Sequence, residues 1–189
     1  MIDKIINEAT GAVTAAIKGT SDIASAVTNT VKDQVVGVIK GSSEIAESTV
    51  EAIASVARGS LKAASDVGSS VTETISSTMS GAIKGTSSVS GDIMEAVFGA
   101  ARGVIRGTAD TGGDVGKAAV AAVEGAIKAA GDIGEDTAEA AKSAVGGALK
   151  AATTVGGDAV ETVKGALIAS AALPRDVIES AIKGSEDKN

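Results

Sequence analysis

The sequence predicts an all-α protein, a long amphipathic helix of hendecad repeats that packs on copies of itself as a near-straight or right-handed coiled coil. Three observations predict it. A 22-residue unit recurs without a slip in register, its apolar positions collect on one side of a helix, and residues that punctuate β-structure are almost missing.

The repeat is read directly. Ile17-Lys18-Gly19-Thr20-Ser21-Asp22-Ile23 returns as Ile39-Lys40-Gly41-Ser42-Ser43-Glu44-Ile45 and then as Leu61-Lys62-Ala63-Ala64-Ser65-Asp66-Val67. The series runs on through Ile83-Lys84-Gly85, Ile105-Arg106-Gly107, Ile127-Lys128-Ala129 and Leu149-Lys150-Ala151, and Asp176-Val177 still holds the phase. A period of 22 is two hendecads, at about 3.67 residues per turn.

On a helix of that pitch Val13, Ile17, Thr20, Ile23, Ala24, Val27 and Val31 share an arc of about 130°. Val35, Ile39, Ile45, Ile53, Met79, Ile83, Val123, Ile127, Val145 and Leu149 repeat it, and Leu61 and Ile105 continue the Ile17 series. The Lys18 and Asp22 series lies on the opposite side, as do Glu51, Glu73, Glu95, Glu139 and Glu161. A β-solenoid would need alternation with a period of two. Segments such as Ala118-Ala119-Val120-Ala121-Ala122-Val123 read as helix instead.

Taken in order, one helix is expected over residues 1–173, on the order of 280 Å if unbroken. Thr111-Gly112-Gly113 is where a kink or hairpin would form. Pro174 starts a short C-terminal helix, with Gly184 as its stop and a tail to residue 189. The glycines are placed for helix–helix packing. Gly37 with Gly41, Gly81 with Gly85, and Gly103 with Gly107 are GxxxG pairs, and Ala15–Gly19, Gly59–Ala63, Gly125–Ala129 and Gly147–Ala151 are small-residue versions. Since each interior glycine costs roughly 1 kcal/mol against alanine, close approach of a second backbone is the expected return.

Lys18–Asp22, Lys40–Glu44, Lys62–Asp66, Arg106–Asp110 and Lys128–Asp132 stand four residues apart and read as a solvated face. Asp132, Glu135, Asp136 and Glu139 cluster but lack the loop and glycine of a calcium site, so no metal is expected. Twenty-four glycines, one phenylalanine and no Trp, Tyr, His or Cys leave neither the bulk for a thick core nor a general base for the many Ser and Thr hydroxyls. The chain is therefore read as no enzyme, with no cofactor.

The net charge of −7, spread along the chain without a basic stripe, argues against a nucleic-acid partner. Met1-Ile2-Asp3-Lys4 lacks the pattern of a signal peptide. The longest uncharged stretches, Thr74–Ile83 and Gly165–Pro174, are about ten residues, short of the roughly 18 a spanning helix needs. A cytoplasmic location is favoured on that basis, and the cellular compartment is otherwise left open.

With these units laid out, the chain resembles the hendecad coiled-coil proteins of bacteria and archaea, made of Gly/Ala/Val-rich units of 11 or 22 residues. The resemblance covers roughly Val13 to Val177 and is carried by units such as Gly81-Ala82-Ile83-Lys84-Gly85. It implies oligomeric helical rods without known activity. The chain is more loosely similar to the 11-residue lipid-binding repeats of α-synuclein, perilipins and exchangeable apolipoproteins. It departs from them in pointing Lys18, Lys40 and Lys62 straight away from the apolar face instead of to its flanks. The expected function is a structural protein whose partner is itself, in a homo-oligomeric rod, tube or filament. The alternatives are a helix bound at a lipid or membrane surface, and a membrane-embedded helical oligomer.

Overall fold

Four-residue punctuation marks, spaced 22 residues apart, decide the architecture. At the end of one helix Gly68, Ser90, Gly112 and Gly134 take up left-handed backbone, with φ of 69°, 55°, 70° and 79°. The next residue's amide turns back to a carbonyl five residues earlier: Ser69 to Ala64 (2.9 Å), Gly91 to Thr86 (3.0 Å), Gly113 to Thr108 (2.8 Å) and Glu135 to Ala130 (2.9 Å). These are Schellman closures, which satisfy the last carbonyls of a helix and stop it. One residue further on, Ser70, Asp92, Asp114 and Asp136 accept from the amides of Glu73, Glu95, Lys117 and Glu139 and start the next helix.

The computed structural model describes residues 2–19, 22–41 and 46–186. Among them the chain forms nine α-helices and no strand. These are α1 (Ile2–Lys18), α2 (Ile23–Gly41), α3 (Ala46–Asp66), α4 (Val71–Ser88), α5 (Ile93–Asp110), α6 (Val115–Asp132), α7 (Thr137–Val155), α8 (Ala159–Ala169) and α9 (Arg175–Glu186).

The all-α expectation agrees with this, but the single uninterrupted helix over residues 1–173 does not form. Each repeat is instead one short helix plus its connection. Thr111–Gly113, expected as the one point of kinking, is one turn in a series. The apolar phase survives because the helix and its four-residue link together still measure 22 residues. Thr20, Glu44 and Ile45 lie outside the described residues.

The helices stack in two layers, because from α1 to α5 each helix makes its most extensive onward contact with the second one after it. Odd-numbered helices form one layer and even-numbered helices the other, with lighter contacts between consecutive helices across the layers, except that α6 touches α7 more extensively than α8. Within a layer neighbours run parallel: Gly99, Gly103 and Gly107 of α5 meet Val50, Ala54 and Arg58 of α3 in the same order. Consecutive helices run antiparallel, as the Gln34 side-chain amide donating to the Glu8 carbonyl (3.4 Å) across α1 and α2 illustrates. This is an α-solenoid, in which each unit buries its apolar face only against near neighbours.

The core is a thin sheet of small side chains between the layers. Val13, Val27, Val31, Val35, Ile53, Ile75, Met79, Ile83 and Ile105 supply its larger members, and alanines such as Ala96, Ala119, Ala140 and Ala148 fill most of the rest. Toward the C-terminus the regularity lapses. α8 is only 11 residues long. Pro174 stands immediately before α9, which folds back onto α7 with Ile178 and Ile182 buried.

Candidate interaction surfaces

The glycines expected to pack helices do so within the chain. A side chain on Gly59 would begin 2.6 Å from the Ile6 carbonyl oxygen, one on Gly81 2.6 Å from that of Thr28, and one on Gly85 2.9 Å from that of Lys32. Gly103 and Gly147 are pressed onto the carbonyls of Ala54 and Phe98, and Gly125 onto Ser76 and Met79. Gly107 sits over Arg58 and Leu61. Hydroxyl groups fasten the same seams: Thr10 donates to the Gly59 carbonyl (3.2 Å) and Thr28 to that of Ser77 (3.3 Å), each 49 residues along the chain.

Of the other residues singled out for packing, Val13, Ile17, Val35, Leu61, Ile83, Ile105, Val123, Val145 and Leu149 are buried. Ile23, Ile39 and Ile127 are partly buried against the same core. Gly19, Gly37 and Gly41 are exposed. Gly37 occupies the same repeat position as Gly59, Gly81, Gly103, Gly125 and Gly147, yet no heavy atom lies within 4 Å of where its side chain would start. The reason is topological: α2 opens its layer and has no helix before it.

The charged residues correct the picture of a purely solvated face. Lys62 and Asp66 do pair along one helix, at 3.2 Å. Asp110, however, pairs with Arg58, Asp132 with Lys84 (3.9 Å), and Glu51 holds both Arg102 (2.7 Å) and Arg106 (2.9 Å). All four bonds cross from one helix to its layer neighbour. Arg102 and Arg106 are about four-fifths buried, with side-chain exposures of 21% and 19%. Arg58 and Arg102 are 44 residues apart, two repeats, and so occupy one position of the unit.

The acidic residues near residue 135 have separate tasks. Asp136 caps α7, and Glu139 accepts from Lys142 (2.6 Å), which raises the Lys142 pKa chiefly through that hydrogen bond. Asp22 accepts from the Ser25 amide (3.1 Å), and this bond lowers its pKa. No group of three acidic side chains placed to hold a metal ion occurs among the described residues.

Open grooves run over both layers of the described residues. Over the even-numbered helices one of about 630 Å³ is lined by Thr28, Asn29, Lys32, Ser76, Ser80, Lys84, Lys128 and Asp132. Over the odd-numbered helices another of about 630 Å³ is lined by Val50, Met94, Phe98, Arg102, Ser143 and Lys150. No family model matches the chain, and no curated protein is significantly similar to it.

Proposed function

We propose that this protein is a structural, non-catalytic helical-repeat protein that works by associating with copies of itself into a homo-oligomeric rod or filament. The observation that carries the reading is Gly37. Five helices in succession seat a glycine at this position on a neighbouring helix, and α2, which like α1 has no earlier helix in its layer, keeps the glycine exposed. An exposed glycine inside a helix costs roughly 1 kcal/mol relative to alanine, and a second backbone seated on it would offset that cost.

The packing that a coiled coil would supply between chains is already supplied within this one, so association falls to the open edges. A lipid-surface role would use the apolar stripe, and Val13, Val27, Val31 and Val35 of that stripe are turned into the core. No described helix is long and apolar enough to cross a membrane. Sedimentation velocity of the full chain over a hundredfold range of micromolar concentrations tests the reading. Growth in sedimentation coefficient with concentration is expected, and a monomer throughout would overturn it.

A further inference from the structure

The contact between α3 and α5 is among the most extensive in the molecule, and both of its sides recur at the ends of the array. α5 contributes Gly99, Gly103 and Gly107, and α3 contributes Val50, Ala54 and Arg58. Four repeats before the first set, α1 and the residue after it carry Gly11, Ala15 and Gly19, all exposed. A side chain on Gly11 would enter open space, and Gly19 is near only the carbonyls of its own last turn. Five repeats after the second set, α8 carries Val160 and Lys164, both partly buried, and the exposed Ile168. Ile168 is 42% exposed, an unusual state for a large apolar side chain in this protein.

Charge follows the same register. Arg106 pairs with Glu51 across α3 and α5. The counterpart of Arg106 at the first end is Lys18 and the counterpart of Glu51 on α8 is Glu161, both exposed. Each end thus carries one half of an interface that the molecule already builds internally.

We propose that the chain stacks head to tail on a second copy of itself, α1 of one molecule seating on α8 of the next as α5 seats on α3. This rests on the self-association proposed above and names its interface. α1 of the incoming molecule takes the place of a tenth helix in the even layer, and Lys18 meets Glu161. α9 begins six residues earlier than a 22-residue step from Ala159 would place it, so the joint is carried by α1 and α8.

The test uses two full-length variants, each blocking one end. Gly11→Leu fills the seat on α1, and Ile168→Glu puts a charge on the ridge of α8. Both sites are exposed, so each variant should keep the helicity of the unmodified protein by circular dichroism. Each alone should sediment as a monomer where the unmodified protein associates, with at least about a tenfold weaker association. An equimolar mixture should form a closed one-to-one dimer, because each variant retains the end that the other lacks. Lys18→Glu should weaken association, and adding Glu161→Lys to it should restore association. If the unmodified protein associates but the variants do so equally well, or their mixture stays monomeric, this interface falls while self-association stands. If the unmodified protein is monomeric, both fall.

Discussion

The carbonyl oxygen of Thr28 lies 2.6 Å from the point where a side chain on Gly81 would begin. That distance is shorter than carbon and oxygen tolerate, and the oxygen belongs to a helix backbone that cannot rotate away. Gly81→Ala should therefore push α4 off α2 and destabilise the fold by about 1–3 kcal/mol. Gly37→Ala, at the same repeat position with open space around it, should stabilise α2 by up to about 1 kcal/mol. Thermal melts of the two variants check this, at roughly 2–4 °C per kcal/mol for a chain of this size. Equal shifts of the same sign would mean that the close seam has no energetic meaning.

Ser90 is the one non-glycine residue among the described turns with positive φ, at 55°. Its counterparts are Gly68, Gly112 and Gly134. Left-handed backbone costs an L-residue about 1 kcal/mol or more, so Ser90→Gly should raise stability by about 1 kcal/mol. The denaturant midpoint should rise with an unchanged slope.

Glu51 accepts from two arginines whose side chains are largely shielded from water, so Glu51→Gln should cost about 1–3 kcal/mol by weakening both charged hydrogen bonds. Asp110→Asn removes the partner of the more exposed Arg58 and should cost less than about 1 kcal/mol. Chemical denaturation of both variants at low and high salt checks the ranking. Salt should reduce the Asp110 effect more than that of Glu51.

The Ser25 amide holds the Asp22 carboxyl below its ordinary pKa. A carboxylate depressed in the folded state adds stability above its unfolded pKa of about 4 and loses it as the pH falls through the lower folded value. The start of α2 should thus fray on acidification below about pH 4. Amide exchange at Ser25 should accelerate there relative to its own intrinsic rate, and Asp22→Ala should remove the pH dependence.

The sequence disclosed the repeat, the apolar positions and the glycine seams, because each follows from residue type at a fixed spacing. Helix length was harder to read. A break that consumes four residues per 22-residue unit leaves every later apolar position in phase, so periodicity alone does not distinguish nine short helices from one long one. The deciding signals were there as a pair, a left-handed residue at Gly68, Gly112 and Gly134 and a cap two residues later at Ser70, Asp114 and Asp136. Read only as members of a charged stripe, Glu73, Glu95 and Glu139 concealed their place in the first turn of each helix. Arg58 and Arg102 were obscured differently, since their partners sit on another helix and no local spacing points across the gap.

Layer neighbours meet after little intervening chain, 49 residues for Thr10 and Gly59 and 55 for Glu51 and Arg106. A ribosome adding about 5–20 residues per second supplies that much chain within seconds. The first helices can therefore reach their final neighbours while the last are still untranslated, and no early segment waits for a distant one. Synthesis halted at a turn would leave a shorter array with its completed part already in place.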